Sequence, residues 1–181
     1  MKSHHFVSIL ALLLVLVLSP FLSYAHAAEP EIQGSKQFID QIRQALDLMK
    51  TRDADAYKIV VVYIGRIQQG QRSGMWAYKT PPTYEISDAT AFYSVTWCAA
   101  TIAHDSFHSK LYHDYHKATG GSVPDSVWTG VTAEQQCMKH QLAVMQKIGA
   151  TQWEIDYATK QKGGHYIKVN ESWDEYRKRK W

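Results

Sequence analysis

The sequence lacks an excess of charge of one sign, an unbroken apolar run long enough to cross a membrane, and a cysteine near its N-terminus. Its 181 residues include 20 basic and 17 acidic ones without a basic face, which argues against nucleic acid as a partner. Pro20 interrupts the one long apolar stretch, whereas a membrane span needs about 20 apolar residues. We therefore expect no stable membrane anchor and no lipid attached to an N-terminal cysteine.

The first 27 residues have the features of a secretory signal peptide. Lys2 precedes an apolar run from Phe6 to Leu18, and Ala25-His26-Ala27 offers a cleavage site flanked by small residues. These features predict export of residues 28–181 as a single periplasmic or extracellular domain. About 154 residues are enough for one domain with a substantial core.

Hydrophobic periodicity predicts a mainly helical α+β fold. Four segments have the apolar spacing of amphipathic helices, with capping residues at their starts or glycines at their ends: Ser35–Lys50, Asp53–Ile67, about Ala91–His116 and Thr132–Ile148. The last of these is expected to begin with a capping box in which Thr132 is the N-cap.

Two short strands are predicted on either side of Pro81-Pro82, over residues Met75–Tyr78 and Thr83–Ile86. Proline confines such a strand to the edge of a sheet. An edge strand has unpaired backbone groups, with which an extended peptide can pair. The sequence therefore predicts a small sheet with an exposed edge.

Cys98 and Cys137 are the two cysteines of the sequence, and both follow the signal peptide. In an exported protein such a pair is interpreted first as a disulfide. The alternative is two buried free thiols. A bridge would close a loop of about 40 residues and stabilise the fold by about 4 kcal/mol on the loop-entropy model. It would also join two of the predicted helices.

His104-Asp105-Ser106-Phe107-His108 is the most informative segment of the sequence. Two histidines four residues apart lie on one face of a helix, about one turn from each other, where both rings can bind a single metal ion. A catalytic zinc has three protein ligands. Glu134 is the best candidate for the third, because it lies 26 residues after His108 in the first turn of the next helix.

The pattern His104-Asp105-x-x-His108 followed by Glu134-x-x-Cys137 resembles the gluzincin branch of the zincin metallopeptidases. In that branch, HExxH on one helix and a Glu on the next helix bind zinc. The resemblance covers roughly residues 83–149. It implies a zincin-like fold in which an active-site helix packs on a second helix, with Zn²⁺ bound by His104, His108 and Glu134.

The resemblance also implies a function, that of an exported zinc-dependent hydrolase using metal-activated water. The simplest form is a peptidase or amidase acting on a peptide, a protein or the cell wall, with an extended substrate held near Tyr84 to Ile86. Asp105 would replace the usual Glu base. Asp is one methylene shorter, so its oxygens would lie about 1.5 Å further from the water. A site built closer to the helix, slow turnover, and a merely orienting Asp105 all stay open.

Two further side chains are candidates for catalysis. Tyr112 lies on the same side of its helix as His108 and is a candidate donor to an oxyanion, although an aromatic residue at helical spacing also suits a core. His165 follows two glycines and is a candidate transition-state donor or substitute ligand, although an exposed loop histidine has the same pattern.

Three other interpretations compete with the hydrolase. A non-catalytic metal- or peptide-binding protein on the same fold is favoured by the Asp at position 105. A phosphohydrolase of the HD type needs another metal-binding histidine well upstream, but every histidine before His104 lies in the signal segment. The last alternative is a pair of histidines that only pack in the core, without metal.

Overall fold

Residues 28–87 contain four short strands and two helices, and the elements of residues 88–161 are all helices. The computed structural model of the protein describes residues 28–161. The elements are β1 (Glu31–Gln33), α1 (Lys36–Arg52), α2 (Ala54–Tyr63), β2 (Arg66–Gly70), β3 (Gly74–Trp76), β4 (Thr83–Ser87), α3 (Asp88–Ala91), α4 (Val95–Thr119), α5 (Asp125–Trp128), α6 (Val131–Ile148) and α7 (Gln152–Gln161). The prediction of a mainly helical α+β fold is confirmed. Within this range, no helix combines the length and apolarity needed to cross a bilayer.

The first two helices begin where the sequence predicts. The Ser35 side chain accepts a hydrogen bond from the Phe38 amide at the start of α1, and the Asp53 side chain accepts one from the Ala56 amide at the start of α2. The predicted end of α2 is wrong. The helix stops at Tyr63, the backbone is extended at Ile64, and Ile67 is a buried residue of β2. A β-branched run fits either structure, so periodicity alone did not place this boundary.

The four strands form one mixed sheet in the order β1-β2-β4-β3. Strand β2 pairs parallel with both β1 and β4, and β3 pairs antiparallel with β4. The prediction that Thr83–Ile86 is an edge strand is wrong, because β4 has hydrogen-bonded neighbours on both sides. Pro81 and Pro82 precede the ladder, which begins at Thr83, so their missing N–H groups remove no bond from it. An extended substrate therefore has no free backbone on β4 to pair with.

Helices α4 and α6 form the longest helix pair of the fold and run antiparallel. His108 contacts Glu134 near the start of α6, whereas Trp97 near the start of α4 shares an apolar cluster with Met145 near the end of α6. The other sides of α4 contact α1, α2 and the sheet. Because α4 has neighbours on several sides, nine of its residues are buried.

Glycines stand at the ends of these helices. Gly120 ends α4 with φ of 66° and Gly149 ends α6 with φ of 78°, as the sequence indicates. The predicted capping box at Thr132 is wrong: α6 begins at Val131, its N-cap is Gly130, and no side chain caps it. A Cβ at position 130 would lie 3.0 Å from the Ser126 carbonyl oxygen, so the close turn after α5 determines where α6 begins.

Candidate metal centre

Three side chains bring their donor atoms together in the interface between α4 and α6. The Nε2 atoms of His104 and His108 are 3.0 Å apart. Glu134 places Oε1 3.0 Å from His108 Nε2 and Oε2 3.5 Å from His104 Nε2. The histidines come together because they lie one turn apart on α4, and Glu134 faces them because the antiparallel α6 begins opposite that turn.

The ring of His108 is held in one orientation by the backbone of α5. Its Nδ1 lies 2.5 Å from the carbonyl oxygen of Trp128. A carbonyl can only accept, so Nδ1 carries the hydrogen and the Nε2 of the neutral ring has an unshared electron pair. Metal-binding histidines use their second nitrogen in this way. Helix α5 has four residues and was not predicted from the sequence.

Cys137 is a fourth donor at the same place. One donor atom each from His104, His108 and Cys137 lie within 4.8 Å of one another. Residues 134 and 137 are three apart on α6 and so share one face of it. The spacing Glu134-x-x-Cys137 was therefore the sequence signal for this donor. It was not recognised as one, because Cys137 was interpreted as a disulfide partner.

The predicted disulfide between Cys98 and Cys137 is wrong, because both cysteines are free thiols. Cys98 comes six residues before His104, which turns it about 120° away around the helix. It lies in the main hydrophobic core, while Cys137 faces the histidine pair. Burial raises the pKa of the Cys98 thiol to about 12, as expected for a thiol surrounded by apolar side chains.

The cluster is almost closed to solvent. The side chains of Glu134 and His108 are 4% and 6% exposed, and His104 is the most accessible at 13%. Burial acts to raise the pKa of Glu134, but the neighbouring His104 and His108 rings hold that pKa far below its usual range. Burial opposes a charge on His108, yet its contacts with Cys137 and Glu134 raise the pKa of His108 well above the ordinary value. Without a metal, the cluster is therefore a buried pair of opposite charges.

The donor geometry fits a metal ion. Two donors at about 2.1 Å from a tetrahedral zinc lie about 3.4 Å from each other. The three spacings among the donor atoms of His104, His108 and Glu134 run from 3.0 to 3.5 Å. In addition, Glu134 Oε2 is buried and receives no hydrogen bond from the described residues. A cation at the common centre would satisfy this oxygen and both imidazole nitrogens.

Asp105 faces a different neighbour. Burial raises the pKa of Asp105, and Tyr84 of β4 lies beside its carboxyl group and acts in the opposite direction. Tyr84 is fully buried. Asp105 is one residue after His104, or about 100° around α4, so its carboxyl points towards the sheet while His104 points towards α6. This tyrosine was not identified from the sequence.

Of the other two candidate catalytic residues, Tyr112 does not extend the cluster. The Tyr112 ring packs edge-on against the Trp128 ring at 5.4 Å and against the His113 ring at 5.2 Å. It therefore supports the residue whose carbonyl orients His108. His165 lies outside the described residues, as does the predicted signal peptide.

Fold and site together define an α+β protein with a buried cluster of two histidines, a glutamate and a cysteine between two antiparallel helices. No known protein family, characterised protein or solved structure shows a significant match to this chain. The function is therefore inferred from the chemistry of the cluster itself.

Proposed function

We propose that this protein binds a zinc ion between α4 and α6 through His104, His108 and Glu134. The observation that carries the proposal is the orientation of His108. Its Nδ1–H donates to the Trp128 carbonyl, so its Nε2 electron pair faces a second imidazole nitrogen and a carboxylate oxygen, each at 3.0 Å. Three metal-binding side chains thus face one point in a buried site, where a divalent cation would take the place of the proton that His108 holds without metal.

Zinc is the metal that best matches these donors. Imidazole nitrogens suit zinc, copper, iron and nickel, and a nearby thiol favours zinc and copper(I) over hard cations such as magnesium. A carboxylate in the same set favours a divalent ion. The donors come from two rigid helices, and the outer hydrogen bond to a backbone carbonyl adds the support that zinc sites commonly have.

The test is metal content. The purified protein should carry about one zinc ion per chain, and His104→Ala or His108→Ala should remove it. His116→Ala is the matched control, since His116 is an exposed histidine of the same helix. Zinc is measured by mass spectrometry after dialysis, and folding by circular dichroism. A zinc-free parent protein at micromolar zinc, with both variants folded, would contradict the proposal.

A second candidate function is hydrolysis by zinc-activated water, in the manner of the zincin peptidases that the motif resembles. The observation in its favour is the donor set of two histidines and a glutamate beside Asp105, with His104 still reached by solvent. Export would place its substrate, a peptide, a protein or the cell wall, outside the cytoplasm. It ranks second because Tyr84 already lies beside the Asp105 carboxyl.

Activity separates the two candidates. If the protein is a hydrolase, the zinc-loaded form should cleave unfolded casein or peptidoglycan fragments, and the apo form should not. Asp105→Ala should then lower kcat on the order of a hundredfold, since a misplaced or missing base has effects of that size, while zinc content stays unchanged. Zinc binding without zinc-dependent cleavage would leave the non-catalytic function.

A further inference from the structure

Cys137 lies at the cluster without a role in a three-ligand zinc site. It is fully buried. Its sulfur lies within 4.8 Å of a nitrogen atom of each histidine. In a tetrahedral zinc site, a sulfur and a nitrogen ligand are about 3.5 Å apart. A shift of at most about 1.3 Å relative to either histidine would therefore bring the sulfur to ligand distance.

We propose that Cys137 is the fourth protein ligand and that its thiolate closes the coordination sphere of the metal. The inference rests on the proposed zinc site. On binding, the thiol proton passes to solvent and the sulfur forms a bond to the metal. Structural zinc sites have four protein ligands, whereas catalytic ones keep a position for water. The resting site is therefore closed to water, and hydrolysis requires the thiolate to leave the metal first.

Other roles of Cys137 fit the structure less well. A disulfide is excluded because Cys98 lies in the main core on another side of α4. Nucleophilic cysteines are partly exposed and lie in electropositive surroundings. Cys137 is instead fully buried. A metal ion is the cation that would stabilise a thiolate here.

Cobalt(II) is the probe, because it replaces zinc in such sites and has visible and near-ultraviolet absorption. The apo form of the purified protein is titrated with cobalt chloride. The parent protein should show tetrahedral d–d bands together with a thiolate-to-cobalt charge-transfer band. Cys137→Ser and Cys137→Ala should still bind cobalt but lose that charge-transfer band. Their affinity for cobalt should fall at least about tenfold, because loss of an outer-shell partner alone has an effect of that size.

Cys98→Ser is the matched control and should keep the parent spectrum, since Cys98 lies outside the cluster. Azide tests the open position: it should leave the parent spectrum unchanged and shift that of Cys137→Ala. Cobalt bound by the parent protein without a charge-transfer band would overturn this inference and leave the proposed zinc site intact. If the parent protein binds no cobalt, both this inference and the proposed zinc site are overturned. A band that disappears in Cys98→Ser, or a parent spectrum that responds to azide, would also overturn the inference.

Discussion

Glu154 is a buried carboxylate that holds the beginnings of two helices together. It accepts hydrogen bonds from the Thr151 amide at 2.7 Å and the Thr151 hydroxyl at 2.8 Å, and so forms a capping box at the start of α7. It also accepts from the hydroxyls of Ser94 at 2.5 Å and Thr96 at 2.9 Å. Because Ser94 is the N-cap of α4, one side chain links α7 to the helix that carries both histidines.

Replacing this carboxylate should destabilise the protein. Glu154→Gln keeps the shape but turns an NH₂ group towards donors, so we expect a loss of about 2 to 3 kcal/mol in the free energy of unfolding. Asp156→Asn is the control, because Asp156 is an exposed carboxylate of the same helix that bonds only to Gln152. Urea unfolding measures both, and equal stabilities of the two variants would contradict the role of Glu154.

The effect of Glu154 should also depend on pH. Burial acts to raise its pKa, but the hydrogen bonds led by Ser94 lower it below the ordinary value of 4.5. A depressed pKa in the folded state means that the stabilisation is present above pH 4.5 and is lost as the pH falls through the folded-state pKa. The gap between the parent protein and Glu154→Gln should therefore narrow from pH 7 to pH 3. A constant gap would show that the carboxylate charge is not the cause.

The residues of the metal cluster were only partly accessible from the sequence. His104, His108 and Glu134 could be singled out because helical spacing and the order of two helices determine which side chains face each other. The Trp128 carbonyl and the Tyr84 hydroxyl could not, since each reaches the cluster or Asp105 from an element distant in sequence. Cys137 was singled out but given the wrong partner, because the direction of Cys98 around α4 depends on how that helix packs.

Helix α4 ends at a single glycine, Gly120. Gly120 has φ of 66°, in the left-handed region, and its amide bonds to the His116 carbonyl. A side chain there would meet no neighbouring atom, so the cost of adding one is backbone strain alone. Non-glycine residues lose about 1 to 2 kcal/mol in this conformation.

The adjacent glycines allow a matched pair of variants. Gly120→Ala should lower the free energy of unfolding by about 1 kcal/mol or more. Gly121→Ala should be neutral or slightly stabilising, because position 121 lies outside the left-handed region and a methyl group there has room. Thermal unfolding followed by circular dichroism compares them. Equal melting temperatures would mean that the helix end adjusts without a left-handed residue.

The helices were predicted from the sequence more completely than the strands. Helices α1, α4 and α6 were placed within a few residues because their apolar periodicity is local. The sheet was predicted only in part. Strands β3 and β4 lie within two residues of the strands predicted on either side of the prolines, but β1 is only three residues long and β2 continues an apolar run that began as helix. Strand order depends on which elements pack together, and proline position alone misplaced β4 at an edge.

The site lies between the two halves of the described fold, which are the sheet with α1 and α2 on one side of α4 and helices α5 and α6 on the other. Helix α4 contacts the sheet and the first two helices on some sides and α6 on another. Asp105 and His104, adjacent in sequence, thus contact different layers. The main core, which includes residues of α1, α2, β2 and β4, holds α4 in place. The second half then adds the remaining donors from α5 and α6.

The antiparallel pairing of α4 with α6 has a consequence for the stability of the protein when a metal is bound. A metal held by His108 and Glu134 is a cross-link that closes about 26 residues of chain, including the whole connection through α5. Unlike a sulfur–sulfur bond, this link forms only as far as its ion is supplied. At a free metal concentration about a hundred times the Kd, it would add about 2.7 kcal/mol to the stability of the fold. The abundance of the protein in its compartment would then follow the supply of zinc there.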